Sequence, residues 1–177
     1  MVEMGVDTYA FEPTPGTFRV LLRHSGMLLH SFSLALGDVE VQADLIVNEA
    51  DRKNRLTLVR AGSRGTVRVK VVTLDSLVEI PRIGLMKIDP EGYELPVLRG
   101  CVRRLREDRP RLLVEGHEPY GEQLRAITGF LKRLGYSSKV ITGEAITGNP
   151  IYWRRRNEAS SKVRGRRASE KAEEGRV

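Results

Sequence analysis

The chain has 177 residues, of which 40% are hydrophobic, and this is enough for one domain that buries about 70% of the surface exposed by the unfolded chain. Its apolar stretches are far shorter than the roughly 20 residues that a membrane helix needs, and its first residues carry no apolar signal segment, so we predict no membrane span and a cytoplasmic location. The single cysteine, Cys101, excludes an internal disulfide and a CxxC site, and a buried, unreactive thiol is expected.

The net charge of +7 lies mainly in the C-terminal segment, residues 154–177. That segment holds nine Lys or Arg against four Asp or Glu, a net charge of +5, so residues 1–153 carry only +2. It has no aromatic residue, which predicts a disordered basic tail after a folded domain of residues 1–153. The tail could bind a polyanion weakly through charge, whereas the body lacks the basic, aromatic face of a nucleic-acid domain.

The first part of the chain has the pattern of a strand, a helix and a second strand. Proline follows Glu12 and ends the first apolar run, and Thr14-Pro15 is typical of a helix start. The three elements are predicted at Asp7–Phe11, Pro15–Ser25 and Leu28–Leu36. Glu12 and Gly37-Asp38 follow the two strands, and this order of elements favours a parallel sheet.

Between residues 39 and 74 helical spacing gives way to extended segments. They predict a β-rich insertion, with a hairpin at the sheet margin, in which a turn at residues 62–65 joins the last two strands. The predicted strands are Val41–Val47, Leu56–Val59 and Val67–Val72.

The rest of the chain alternates strands and helices again. A helix is predicted at Glu94–Glu107, and a second one, lined by Leu124, Ile127, Leu131 and Leu134, ends at Gly135. The predicted strands are Ile83–Ile88, of the buried type, Leu112–Val114, and the plausible pair Tyr136–Ile141 and Ile151–Trp153.

Acidic residues follow three of the predicted strands, at Glu12, Asp89 and Glu115. In an open α/β sheet the ligand crevice lies outside the carboxyl ends of the strands, so these acids are expected to share one edge. The alternative is that each carboxylate only caps its loop or the following helix.

Six ordered segments resemble FkbM-type methyltransferases. They are Ala10–Pro15, Ala35–Asp38, Thr73–Leu77, Leu85–Glu94, Val97–Gly100 and Arg109–Glu115. The resemblance runs from about residue 6 to residue 153, and it implies a Rossmann-like class I methyltransferase fold, mostly parallel, with an antiparallel seventh strand at Ile151–Trp153. It also implies S-adenosylmethionine as the cofactor and methyl transfer to a hydroxyl of a sugar or another small acceptor.

By this resemblance, Glu12 would bind the ribose of the cofactor, Gly37 and Asp38 would lie near its adenine, and Asp89 would face its methyl group. A hydroxyl nucleophile needs an acceptor for its proton, and Asp89 is the first candidate. Glu115 and His117 are the alternatives.

Lys87, Glu91 and Glu94 are the candidates for binding the acceptor, although pairing with a nearby acid would explain Lys87 equally well. A divalent metal held by Asp89 and Glu115 is an alternative, but no third ligand suggests itself and no metal site is predicted. His24 and His30 have no partner spacing and are expected to be structural or surface residues. Pro90 departs from the family pattern, which more often has an aliphatic residue there.

The family's first strand runs into a glycine-rich turn that approaches the cofactor. No two glycines of this chain are separated by one residue, so the first strand and this turn are expected to be missing and the chain to bind the cofactor poorly. A start placed too far downstream, a fragment, or a partner that supplies the unit would each explain this. The alternative function is a non-catalytic α/β remnant whose basic tail binds RNA or another polyanion.

Overall fold

The computed structural model describes residues 5–46, 55–57, 66–116, 121–140 and 149–155. The strands in these ranges are β1 (Thr8–Phe11), β2 (Leu29–Phe32), β3 (Ala35–Leu36), β4 (Val41–Ile46), β5 (Arg55–Thr57), β6 (Thr66–Val72), β7 (Leu85–Ile88), β8 (Arg111–Gly116), β9 (Tyr136–Val140) and β10 (Asn149–Arg155). The helices are α1 (Pro15–Arg23), α2 (Glu94–Arg99), α3 (Val102–Glu107) and α4 (Gly121–Arg133), with a short 3-10 helix at Leu74–Ser76. None of the helices in these ranges is long and apolar enough to cross a bilayer.

The strand, helix and strand predicted at the start of the chain are confirmed as a parallel pair, β1 and β2, joined by α1. Proline lies in the first turn of α1, where its missing N–H costs nothing. The predicted strand Leu28–Leu36, however, is divided. β2 pairs with β1 and ends at Phe32. The chain then joins a different sheet at Ala35, where β3 pairs with β6.

The predicted β-rich insertion is confirmed as a four-stranded sheet of order β3-β6-β4-β5. β4 lies between β5 and β6 and is antiparallel to both. The antiparallel pair at the sheet margin is formed by β4 and β5, whereas the last two segments, β5 and β6, each pair with β4 and not with each other. The predicted turn at residues 62–65 lies outside the described residues. Small and branched side chains fill the core of this sheet, namely Ala35, Ala43, Leu45, Val69 and Val71.

The sheet that carries the second half of the chain has the order β7-β8-β10-β9. β7 and β8 are parallel, and β10 runs antiparallel to β8 and β9, which confirms the predicted pairing of the last two strands. β10 extends to Arg155, two residues into the segment predicted as a tail, and residues 156–177 lie outside the described ranges. Three of the seven strand pairings among the described residues are parallel, so the fold is mixed α/β.

The strand predicted at Ile83–Ile88 is shorter and less buried than expected. Only Ile88 in β7 is buried, and Leu85 is 45% exposed. The reason is that β7 is an outer strand of its sheet among the described strands. The apolar pattern of a strand does not show its place in the sheet, so the sequence could not predict this exposure.

The helix predicted at Glu94–Glu107 is broken at Gly100-Cys101 into α2 and α3. The Asp75 carboxylate accepts hydrogen bonds from the backbone N–H groups of Arg103, at 2.7 Å, and Arg104, at 3.0 Å. Two donors at the start of α3 are thus satisfied from a distant part of the chain, which stabilises a new helix start.

The main core lies among α2, α3, α4 and the strands of the β7-β8-β10-β9 sheet. Its fully buried members include Leu98, Leu105, Leu112, Leu131 and Trp153. The Tyr136 hydroxyl is also inside this core and donates a hydrogen bond to the Leu105 carbonyl at 3.2 Å. Cys101 is completely buried, as predicted, and burial raises the pKa of its thiol.

Candidate active site

Two of the three predicted acids meet at the carboxyl ends of β7 and β8. The parallel register sets Ile88 opposite Val114, so Asp89 and Glu115 follow neighbouring positions. Lys87 Nζ donates to Asp89 Oδ2 at 2.9 Å and lies 3.9 Å from Glu115 Oε2. The predicted convergence on one edge is therefore confirmed for Asp89 and Glu115, with Lys87 between them. It is not shown for Glu12, because β1 pairs with β2 in a different sheet of the described residues.

The electrostatics of this group favour a charged Lys87. Its hydrogen bond to Asp89 raises the pKa of the ammonium group, partial burial lowers it, and the negative charges of Asp89 and Glu115 raise it further. The Glu115 side chain is 17% exposed and the Asp89 side chain is 27% exposed. Two carboxyl groups and one ammonium group thus meet at this edge of the sheet.

The loop after Asp89 is held in a defined shape. Glu91 has φ 51° and Gly92 has φ 105°, so two successive residues lie in the left-handed region, which only glycine adopts without strain. Glu94 is 3% exposed, and its Oε1 accepts a hydrogen bond from the Gly92 N–H at 2.9 Å. Gln123 Nε2 on α4 donates to Glu94 Oε2 at 2.8 Å and to the Gly92 carbonyl at 2.7 Å.

These contacts separate two residues that the sequence placed together as acceptor-binding candidates. Both carboxylate oxygens of Glu94 hold the loop from inside, whereas Glu91 is only half-buried. Lys87, with a 57% exposed side chain, has the most open position of the three candidates. The described geometry therefore gives Glu94 a structural role in the loop and leaves Lys87 and Glu91 at its surface.

Gly37 and Asp38 lie against the same loop. The Gly37 N–H donates to the Val72 carbonyl at 2.9 Å, which fixes the segment to the end of β6. The Tyr93 ring packs against Gly37, and the Asp38 carboxylate lies 3.8 Å from the Arg99 guanidinium. Burial raises the pKa of the Tyr93 hydroxyl, and the negative charge of Asp38 raises it further.

Glu12 follows β1 in the separate two-stranded sheet. Its Oε1 accepts a hydrogen bond from the Thr14 N–H at 2.7 Å, so part of the carboxylate supports the turn into α1. Its Oε2 has no hydrogen-bond partner among the described residues. Oε2 can therefore accept a hydrogen bond from a hydroxyl group, such as one of a ribose, because one oxygen is enough to accept it.

Two of the three histidines lie within the described residues. His24 is exposed at the end of α1, and His30 stacks on Tyr9 with ring centroids 4.6 Å apart and lies 3.7 Å from Asp7. Both positions agree with the structural or surface roles predicted for them. His117 lies outside the described residues. Within the described ranges, no group of three or more His, Cys, Asp or Glu side chains is arranged to hold a metal ion.

Sequence reasoning did not single out three residues that support the site, namely Tyr93, Gln123 and Asp75. Asp75 and Tyr93 lie inside motif segments, but nothing local reveals that one caps α3 and the other contacts Gly37. Gln123 is a polar residue in the first turns of an amphipathic helix, where a solvent-facing side chain is the ordinary expectation.

Comparison with known proteins gives consistent results. The model of the Methyltransferase FkbM domain matches residues 3–138. Hexuronic acid methyltransferase AglP of Haloferax volcanii is 29% identical over 109 residues, which cover 56% of this chain and 43% of that protein. The crystal structure of methyltransferase FkbM from Methylobacillus flagellatus KT has a TM-score of 0.60 at 16% identity, over 83% of this chain and 36% of that chain, and thus supports the fold.

The chain spans less than half the length of these two relatives. The family model, in contrast, covers more than half of the chain and includes the Asp89 loop, Glu115 and the Gly37-Asp38 segment. The chain therefore belongs to the FkbM methyltransferase family.

Proposed function

We propose that this chain forms the body of an S-adenosylmethionine-dependent methyltransferase that acts on a hydroxyl of a sugar or a similar small acceptor. The observation that carries the proposal is the meeting of Asp89 and Glu115 around Lys87 at the ends of β7 and β8. A proton acceptor at this edge is what transfer to a hydroxyl requires. Membership of the FkbM family supports the choice of methyl transfer.

Asp89 would accept the proton of the attacking hydroxyl at its carboxylate oxygens. Lys87 orients that carboxylate through the 2.9 Å hydrogen bond, and Glu115 is the alternative acceptor on the neighbouring strand. Contacts of Glu94 and Gln123 hold Gly92 in the loop that follows Asp89, and a fixed acceptor lowers the entropic cost of reaching the transition state.

The residues present fit the cofactor in three respects. Glu12 has an oxygen in reserve for a ribose hydroxyl, Asp38 offers a carboxylate near the expected adenine position, and the acidic group around Asp89 has the charge that complements a sulfonium cation. When bound, S-adenosylmethionine supplies an activated methyl group and a good leaving group. We propose weak binding by this chain alone, because its sequence contains no GxG turn for the amino-acid end of the cofactor.

A sugar acceptor is supported by the relative named as a hexuronic acid methyltransferase. Polar residues at the edge, including the exposed Lys87 and the half-buried Glu91, are of the kind that bind several hydroxyl groups at once. We also propose a cytoplasmic location, and weak polyanion binding by residues 154–177 because this segment carries a net charge of +5.

Calorimetric titration with S-adenosylmethionine and transfer of labelled methyl groups to uronic acid and neutral sugar acceptors test the proposal. Asp89→Asn should lower kcat by about 10² or more while the protein stays folded, because it removes the proton acceptor. Glu107→Gln is the matched control, since this carboxylate is exposed on α3 and forms an ion pair with Arg103 on the same helix. Full transfer by Asp89→Asn and by Glu115→Gln would exclude both acids as proton acceptors.

A further inference from the structure

Three separate segments of the chain meet at Gly37. A side-chain carbon at Gly37 would lie 3.2 Å from Tyr93 Cε1 and 2.8 Å from Val71 Cγ1, so the absence of a side chain is what lets the ring approach. On another side, a side-chain carbon at Gly100 would overlap the Gly37 carbonyl. Gly37 is therefore enclosed by the end of β6, the Tyr93 ring and the break between α2 and α3.

The Tyr93 ring is attached to the loop that carries Asp89. The Tyr93 carbonyl accepts a hydrogen bond from the Val97 N–H at 3.2 Å, in the first turn of α2. The next residue is Glu94, whose carboxylate is held by Gly92 and Gln123. A displacement of the ring is thus resisted by α2 and α4, and a displacement of the loop is carried to Gly37.

Charge reinforces the contact between these segments. Asp38 follows Gly37 directly and lies 3.8 Å from Arg99 at the end of α2. Burial of the ring, together with the Asp38 charge, raises the pKa of the Tyr93 hydroxyl, so the hydroxyl stays neutral at ordinary pH.

We propose that Tyr93 is a positioning residue that couples the Gly37-Asp38 segment to the Asp89 loop. This rests on the proposed function, in which Gly37-Asp38 lies near the adenosine end of the cofactor and Asp89 near its methyl group. One ring then sets the spacing between the two ends of the cofactor site.

A double-mutant cycle of Gly37→Ala and Tyr93→Leu, measured by the chemical shifts of backbone amides, tests the coupling without requiring cofactor binding. Gly37→Ala adds a methyl group against both Val71 and the ring, and through the ring it should shift the amide signals of Asp89 and Gly92 in the wild-type background. In a Tyr93→Leu background, where the side chain no longer reaches Gly37, the same substitution should shift these signals much less. Phe130→Leu is the matched background, because Phe130 packs on the same core from α4; there the full shift should persist.

Equal shifts of Asp89 and Gly92 in the wild-type and Tyr93→Leu backgrounds, or no shift in either, would overturn the coupling. Should Gly37→Ala not fold, titration of the single variants with S-adenosylmethionine decides it. Tyr93→Leu should then weaken binding roughly tenfold, and Tyr93→Phe, which keeps the ring, by about twofold at most. Equal affinities for wild type and Tyr93→Leu would refute the coupling, whereas a wild-type protein that lacks even the weak cofactor binding proposed above would refute the proposed function.

Discussion

The two parts of the candidate site are supported by regions that differ in packing. The unit of β1, α1 and β2, which carries Glu12, has no buried residue in any of its three elements, and Val20 and Leu22 on α1 are about half exposed. The sheet of β7 and β8, which carries Asp89 and Glu115, is packed against helices that contain fully buried leucines. Local stability follows buried apolar contacts, so the acid pair is held more firmly than the ribose-binding candidate.

This difference bears on how such a site works. A group that accepts a proton must be fixed before the reaction, because misplacement of the acceptor is costly in rate. A group that only binds a hydroxyl of the cofactor can adjust when the ligand arrives. The packing of the described residues agrees with the proposed roles of Asp89 and Glu12.

The largest expected effect compares two leucines in helices of the two regions. Leu131 on α4 is fully buried, and Leu131→Ala should lower the free energy of unfolding by about 2–5 kcal/mol through lost burial and a cavity. Leu21 on α1 is only half-buried, and Leu21→Ala should cost less than about 1.5 kcal/mol. Urea denaturation of both variants measures this. Equal losses would show that the first unit is packed as firmly as the second.

The next effect concerns the contact that divides the predicted helix. Asp75→Ala leaves two backbone N–H groups at the start of α3 without their acceptor and should cost about 1–3 kcal/mol. Glu107→Ala on the same helix removes a side chain that is 62% exposed and should change stability by less than about 0.5 kcal/mol. Thermal denaturation distinguishes the two variants. If Asp75→Ala leaves the stability unchanged, the hydrogen bonds from the Asp75 carboxylate to the start of α3 are not the cause of the break.

The break also marks the limit of what the sequence could predict. The start of α1 at Pro15 and the end of α4 before Gly135, which has φ 82°, follow from local signals and are predictable. The break at Gly100 depends on Asp75 and Gly37, which are distant in the chain, and the outer position of β7 depends on sheet order. Local patterns contain neither kind of information.

The same distinction applies to the candidate site. The meeting of Asp89 and Glu115 is predictable because parallel strands bring their carboxyl ends to one edge, and this needs only the strand pattern. The structural role of Glu94 is not predictable, because its partner Gln123 lies on another helix. The candidate ligand-binding acids could thus be predicted from the local sequence pattern, whereas the residues that support their loop could not.

A third prediction uses pH to probe the well-packed region. Burial, and then the charge of Asp75, raises the pKa of the Cys101 thiol above its ordinary value of 9.0. A raised folded-state pKa contributes stability that is complete below the unfolded-state pKa and is lost as pH rises above it. The free energy of unfolding should therefore fall above about pH 9, and Cys101→Ala should fall less steeply than wild type.

Tyr93 adds to the alkaline loss above about pH 10 for the same reason, so Tyr93→Phe should reduce the slope there. Thiol labelling gives an independent measurement, because Cys101 should react only when the protein unfolds. Labelling of the folded protein at neutral pH at the rate of a free thiol would contradict the buried position.

The smallest expected effect is that of Lys87→Met on stability. The Lys87 side chain is 57% exposed, and exposed ion pairs contribute about 0–1 kcal/mol because water screens them and ordering both side chains costs entropy. The free energy of unfolding should therefore change by less than about 1 kcal/mol, and less at high salt, although Asp89 and Glu115 then face each other without the ammonium. Lys87→Arg, which keeps the charge, is the control. A loss as large as that of Leu131→Ala would mean that the ion group holds β7 to β8. A small loss would mean that packing supports Asp89 and Glu115, so that Lys87 is not needed for stability and is free to orient the proposed proton acceptor.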